Sequence, residues 1–406
     1  MAKENVPSPT PSRPTSPKKP VKKWWQRWFN LATGFDMQFF VLLMIILIIG
    51  LATLYSASHV YAFNYNDGDS FFYIRKQAAF AVVGLVVMLG VSMVDYHILH
   101  RWALLIWIFS LGLLVLALFM PSQTGIHRWV QLPGFSFQPS EIAKFALVLL
   151  FAHLISLNYK RMKSFVVGFL PLAGILAITC GLVVIEPHLS GTLLIGILGL
   201  CMMYVGGVRG WYVLLVMLLA LTVVVVMVGV MGYEQDRISV WFHPMESFNN
   251  EITFSDGMSG RDHAWQTVQS MIAIGSGGLL GQGPGNSRQK HLFLPEPQND
   301  FVFSVFCEEM GWIGAILVLM LFALLVWRGF RIAMKAPDKF GCMLALGLTL
   351  QIGIQVAINV AVVSNLLPNT GISLPFFSYG GTSILVLMAQ MGVVLSVSRQ
   401  SRMEKL

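Results

Sequence analysis

The feature that most constrains this chain is a row of long apolar runs. Ten of them lie near residues 36–57, 78–94, 102–120, 140–157, 165–185, 189–206, 211–232, 301–327, 341–363 and 375–397. A bilayer core of about 30 Å needs about 20 mostly apolar residues per helix. The runs are continuous, whereas barrel strands would show short alternating segments. Composition points the same way: 56% of residues are apolar, 11% are charged, and mean hydropathy is +0.70. Soluble domains are about 25% charged, so a water-soluble enzyme and a disordered chain are both excluded. The expectation is an all-α polytopic membrane protein with ten transmembrane helices.

Basic residues set the orientation of such a chain. With the N-terminus placed inside, nineteen of the 27 Lys and Arg fall in inside segments, seven fall outside, and Lys144 lies within a span. Both termini are therefore expected to be cytoplasmic. The long segment 233–300, between the seventh and eighth spans, becomes a large extracytoplasmic loop. The net charge of +8 is then a topology signal, and no nucleic-acid partner is expected. Residues 1–35 read as a disordered, Pro- and Lys-rich cytoplasmic tail with no signal peptide. It ends in an interfacial segment around Trp24, Trp25, Arg27, Trp28 and Phe29. Residues 36–397 form one membrane domain, and 398–406 form a second cytoplasmic tail. The four cysteines fall in spans without metal-ligand spacing and read as apolar filler.

Ionisable groups inside spans are costly and so mark candidate sites. Glu141 and Lys144 share one face at the start of the fourth span, as a structural ion pair or as substrate contacts. Glu186 and His188 flank Pro187 in the turn between the fifth and sixth spans. Asp300 opens the eighth span after Pro295 and Pro297, with Ser304 and Glu308 at i+4 and i+8 leading inward on its face. Desolvation raises a carboxylate toward the range a general base needs, but Asp is equally a favoured helix cap. The glycine-rich run 275–285 lacks a Gly-Lys-Ser/Thr ending and reads as a re-entrant loop. Loop 233–300 carries eight acidic residues against four basic ones, with His243, His263 and His291 scattered. That balance suits a divalent cation, Mg²⁺ or Mn²⁺, held between carboxylates and a pyrophosphate.

Several blocks, in order along the chain, carry a resemblance. They are Arg128-Trp129, then Phe137 to Lys144, Leu294-Pro295-Glu296 to Asp300-Phe301, Glu308-Glu309-Met310-Gly311, and the run from Leu367 to Ser383. Together they resemble the FtsW/RodA (SEDS) family of shape, elongation, division and sporulation proteins. The resemblance implies a peptidoglycan glycosyltransferase that polymerises lipid II into β-1,4 glycan strands at the outer face of the plasma membrane. A class B penicillin-binding protein is the implied partner, and the family's essential aspartate lands on Asp300. In such a reaction Arg128, Lys144 and Arg237 are the candidate partners for the leaving pyrophosphate. Trp129 packs against sugar or isoprenoid or anchors the chain at the membrane interface, and Glu141, Glu296 and Ser378 complete the expected substrate-contacting set. The run from Gly371 to Thr382 looks like the division-type members, because elongation-type members tend to carry proline at Ser373. A septal location among other divisome membrane proteins follows. An elongation-type polymerase and a lipid II flippase are the alternatives. Two positions depart from the family pattern: Gln298-Asn299 stands where many members read His-Thr, and His188 where many carry Asp.

Overall fold

The computed structural model describes residues 34–120, 129–132, 135–186, 189–229, 235–249 and 260–403. Eight helices are long and apolar enough to cross a membrane, and two shorter apolar helices cover Ser190–Val205 and Gly210–Val223. All ten predicted spans thus appear as helices. They are α1 (Met37–Tyr65), α2 (Phe72–Met93), α3 (His97–Leu118), α4 (Pro139–Asn158), α5 (Leu170–Ile185, entered through a π turn at Phe165–Phe169), α6 (Leu189–Val205) and α7 (Gly210–Gly229). The last three, α11 (Val302–Met334), α12 (Lys339–Val363) and α13 (Gly381–Met403), follow the large loop. That loop is more structured than a polar connection need be, with α8 (Gln235–Phe242), α9 (Pro244–Asn249) and α10 (Gly260–Ser276) within it. A small antiparallel hairpin, β1 (Val130–Leu132) and β2 (Phe135–Phe137), precedes α4.

Close helix packing in this bundle relies on small residues, as expected where lipid offers no hydrophobic drive between helices. Gly84 of α2 faces Met388 of α13, and Gly347 of α12 sits against Val148 of α4 and Met202 of α6. The end of the bundle where α1 begins is fastened by polar contacts. Asp36 caps α1 by accepting from the Phe39 amide at 3.0 Å and receives Arg328 of α11 bidentately, at 3.0 and 2.7 Å. Asp338 caps α12 and also accepts from the Tyr96 hydroxyl.

At the other end, α11 is broken. Gly311 has φ +65° and ψ −171°, which interrupts the helix within its first third. The glycine-rich loop fills the gap with backbone bonds. Gln282 and Gly283 amides donate to the Glu308 and Glu309 carbonyls at 3.0 Å, and the Trp312 amide donates to the Gly278 carbonyl at 2.9 Å. Non-helical backbone inside a membrane domain is tolerated only where protein satisfies it in this way. The re-entrant reading of residues 275–285 therefore agrees with the backbone pairing.

Two expectations need correction. The helix starts at Val302, so Asp300 precedes it and the helical i+4, i+8 face does not extend back to it. Ser304 instead shares a 2.7 Å hydroxyl contact with Ser270 of α10, and Glu308 bonds to the loop. The last span also begins later than expected, because residues 375–380 are held as an extended turn and Gly381 starts the helix.

Gly281 (φ +80°) lies against the Glu309 backbone, whereas Gly278 (φ +55°) faces open space. Gly278→Ala should therefore cost about 1 kcal/mol for its left-handed backbone alone. Gly281→Ala should cost about 2–4 kcal/mol, adding collision with packed backbone. Thermal unfolding of the two detergent-purified variants checks this order.

Candidate active site

The starts of the even-numbered spans gather at the end of the bundle that carries the broken helix. Among them lies a cavity of about 920 Å³. Its wall includes Trp129, the first turn of α4 (Ser140, Glu141) with Lys144, the first turn of α6 (Ser190, Gly191) and the first turn of α13 (Gly381, Thr382, Ser383). Lys76 of α2 and Gln355 of α12 add to it, as do Glu296, Asn299 and Asp300. Helix N-termini present unsatisfied amides and a partial positive charge, so three of them converging on one space favour an anion there.

Asp300 is half-buried and held from its backbone. The Asn359 side-chain amide, fully buried on α12, donates to the Asp300 carbonyl at 2.8 Å and to the Ile372 carbonyl at 2.6 Å. Gly371 (φ +70°) lies directly against the Asp300 carboxylate, where any side chain would press on it. Gln355 donates to the Ser373 carbonyl at 2.9 Å, and the Tyr379 amide donates to the Gln298 carbonyl at 2.8 Å. Gln77, buried on α2, donates to the Ser378 carbonyl at 3.2 Å and accepts from the Gly380 amide at 3.1 Å. Three buried amides thus bind the 371–380 segment and the Asp300 backbone into one unit. Burial pushes the Tyr379 phenol above its ordinary value, with nearby Tyr73 adding to the rise. Tyr379 therefore stays neutral at physiological pH as a hydrogen-bonding cavity wall. Glu296 and Phe376 hold left-handed backbone (φ +43° and +66°), which is local strain of the kind that persists where surroundings over-determine it.

The loop carrying Asp300 is anchored from below. The Glu308 carboxylate accepts from Ser287 Oγ at 2.5 Å and from the Arg288 and Gln289 amides at 3.0 and 3.3 Å. The Glu309 carboxylate receives Lys290 Nζ at 2.9 Å and Ser56 Oγ at 2.6 Å. The Lys290 side chain is 0% exposed and that of Glu309 is 6% exposed, and the ammonium also donates to the Gly285 carbonyl at 2.6 Å. The buried ammonium has three acceptors, Ser56 Oγ, the Gly285 carbonyl and Glu309, which is what makes the pair tolerable.

Of the residues named from sequence, the structure brings Trp129, Glu141, Lys144, Glu296 and Asp300 to the cavity wall. Glu141 and Lys144 pair at 2.7 Å, so both of their sequence readings are compatible with the geometry. Arg237 does not reach this cavity. It lines a separate cleft of about 190 Å³ with Trp241, Asp262 and Asn365, because α8 docks over residues 364–369. Ser378 is buried beside the cavity, its Oγ accepting from the Leu374 amide at 2.7 Å to close a turn. Arg128 and His188 lie outside the described residues. Lys76 was not singled out from sequence, because one basic residue at a span boundary looks like any topology marker. Gln77, Gln355 and Asn359 were missed because they carry no charge. Uncharged amides within apolar spans were the available signal.

A divalent cation is not matched by protein groups alone. Among the described residues, no three His, Cys, Asp or Glu side chains are grouped to hold a metal ion. Asp300 and Glu296 are carboxylates on the wall, and a cation beside them would need substrate oxygens to complete its shell.

Breaking the buried pair should be more damaging than removing it. Lys290→Met is expected to cost about 3–5 kcal/mol, and Lys290→Met/Glu309→Leu to recover most of that. Melting temperatures of the two single variants and the double variant read the coupling.

The chain matches the cell cycle protein family of FtsW, RodA and SpoVE over residues 36–403. Stage V sporulation protein E of Bacillus subtilis (strain 168) is 39% identical over 375 residues, spanning 91% of this chain and 98% of that protein. A probable peptidoglycan glycosyltransferase FtsW of Geobacter sp. (strain M18) is 36% identical over 375 residues, spanning 91% and 98%. Among solved structures, a chain of a peptidoglycan synthase complex that coordinates polymerization and crosslinking matches with TM-score 0.73 and 26% identity, covering 92% of this chain and 99% of that one. The rod shape determining protein RodA of Thermus thermophilus matches with TM-score 0.64 and 25% identity, covering 91% and 98%. This chain is a polytopic membrane protein and belongs to the FtsW/RodA/SpoVE family.

Proposed function

We propose that this protein is a peptidoglycan glycosyltransferase that polymerises lipid II into β-1,4 glycan strands, and that the 920 Å³ cavity is its active site. The observation that carries this reading is Asp300, a carboxylate on the wall of a cavity toward which three helix N-termini and Lys76 and Lys144 converge. Relatives named as probable peptidoglycan glycosyltransferases, matched across 90% or more of this chain, support it. The charge asymmetry of the connecting segments supports a position for this end of the bundle at the outer face of the plasma membrane.

The reaction joins two lipid-linked sugars. The 4-hydroxyl oxygen of the acceptor GlcNAc attacks C1 of the donor MurNAc, and the bond from C1 to the pyrophosphate oxygen breaks. Asp300 takes the hydroxyl proton as the new bond forms, so an α-linked donor becomes a β-1,4 link. Undecaprenyl pyrophosphate leaves with the bonding electrons and needs no proton from a general acid. Its developing charge is met by Lys76, Lys144 and the helix N-termini. Glu141 holds Lys144 in place at 2.7 Å. Trp129, 42% exposed at the rim, offers an apolar face to sugar or isoprenoid. Asp300 and Glu296 would hold a divalent cation, which would supply positive charge to the leaving pyrophosphate.

The flippase alternative loses support from Glu308, which is committed to the re-entrant loop and does not line a path across the bundle. Similarity to a chain of a peptidoglycan synthase complex supports a class B penicillin-binding protein as partner. We assign the protein to septal synthesis in division, with other divisome membrane proteins nearby. Ser373, where elongation-type members tend to carry proline, and the FtsW-named relatives support this. The 39% identity to Stage V sporulation protein E favours a sporulation septum as the second reading. A fluorescent fusion forming mid-cell rings in vegetative cells supports division, whereas signal confined to sporulating cells supports the second.

Asp300→Asn should lower polymerisation of labelled lipid II, with the cognate partner present, by about 10²–10⁴-fold. Membrane insertion and partner binding should be unchanged. Strand synthesis at the wild-type rate would remove Asp300 from the mechanism. Lys76→Met should lower kcat/KM by about ten- to a hundredfold, while Arg237→Ala, off the cavity, stays near wild type.

A further inference from the structure

At the end of the bundle opposite the cavity, two clefts meet at Arg328. One, of about 250 Å³, is lined by Asp36, Arg328, Arg331, Lys335, Ser398 and Ser401. The other, of about 410 Å³, is an open apolar groove between α1 and α11 formed by Met37, Val41, Leu42, Leu324 and Trp327, with Arg328 at its edge. Asp36 neutralises Arg328 through the bidentate contact already described. Among the described residues no carboxylate pairs with Arg331 or Lys335. The Arg331 guanidinium lies 4.7 Å over the ring of Trp327, a residue of the groove wall. The serine hydroxyls donate inward, Ser398 to the Leu395 carbonyl and Ser401 to the Ser398 carbonyl, at 2.8 and 2.9 Å.

We propose that these joined clefts bind one anionic phospholipid of the bilayer. The headgroup phosphate sits between Arg331 and Lys335, and an acyl chain lies along Met37, Val41, Leu324 and Trp327. Charge complementarity selects the headgroup: two cations without acidic partners at the mouth of a groove attract an anionic lipid more than a zwitterionic one, which brings its own cation. Guanidinium geometry suits two phosphate oxygens at once. The groove selects for a chain, which free phosphate lacks. None of these residues lines the proposed active site, so the proposal stands independently of it.

The test is native mass spectrometry of the purified full chain, with phosphatidylglycerol or phosphatidylcholine added. Compared are wild type, Arg331→Gln/Lys335→Gln, and Lys160→Gln/Lys163→Gln, which removes two cations elsewhere at the same end. Neither Arg331 nor Lys335 leaves a paired carboxylate behind, so the first variant should fold. Phosphatidylglycerol retention should fall about tenfold in it and remain at the wild-type level in the second. Phosphatidylcholine should not distinguish the three proteins, and inorganic phosphate should not displace the bound lipid. Equal retention by Arg331→Gln/Lys335→Gln, equal loss in the control variant, or displacement by phosphate overturns the proposal.

Discussion

The ion pair between Lys290 and Glu309 holds the rest of the site in place. Both side chains lie inside an apolar bundle, where an unpaired charge would be costly, and both are satisfied only when the 277–301 loop is folded in. The dependence runs both ways. Gly311 breaks α11 and frees the carbonyls of Glu308 and Glu309, and the loop amides of Gln282 and Gly283 bond to them. Neither the broken helix nor the re-entrant loop would be tolerable alone in a membrane. Together they deliver Glu296 and Asp300 to the rim of the cavity as parts of a rigid frame.

A second constraint comes from topology. Helices that alternate in direction place every second N-terminus at the same end, so each end of an up-and-down bundle gathers the free amides of alternate helices. Here the first turns of α4, α6 and α13 line one space, together with Lys76 and with Lys144, which is paired with Glu141. A pyrophosphate could be held there by backbone and lysine together, without a dedicated arginine clamp. Asp300 stands in that field while its backbone is locked by Asn359. The carboxylate and the cationic groups proposed to act on the substrate therefore line one preorganised pocket, which is the arrangement electrostatic catalysis requires.

Much of this was legible from residues in order. The ten apolar runs reappear as ten helices, with a late start at the last span, where Pro375 to Gly380 are apolar enough to read as helix but are held as a turn by Gln77 and Ser378. Glu141 and Lys144 were legible because i, i+3 spacing survives in any helix. Projecting the same periodicity from Asp300 to Ser304 and Glu308 failed, because Asp300 lies before the helix and has no helical phase. Arg237 and Lys76 had indistinguishable local signatures. Which of the two faces the cavity depends on how α8 docks over residues 364–369, a contact more than a hundred positions apart in the chain.

By itself the sequence determined the membrane class, the number of apolar helices, the expected sidedness and the identity of the one aspartate worth testing. These follow from transfer free energy summed over about 20 consecutive residues, and from motif blocks read locally. Tertiary structure decided which charges share a cavity, that Glu308 and Glu309 serve the loop, and that Asn359 holds the aspartate backbone while Gln77 and Gln355 hold the 371–380 segment beside it. Those outcomes depend on how each helix is rotated against its neighbours. Helix rotation is set by packing of small residues such as Gly84 and Gly347 against partners far away in sequence, and no local pattern encodes it.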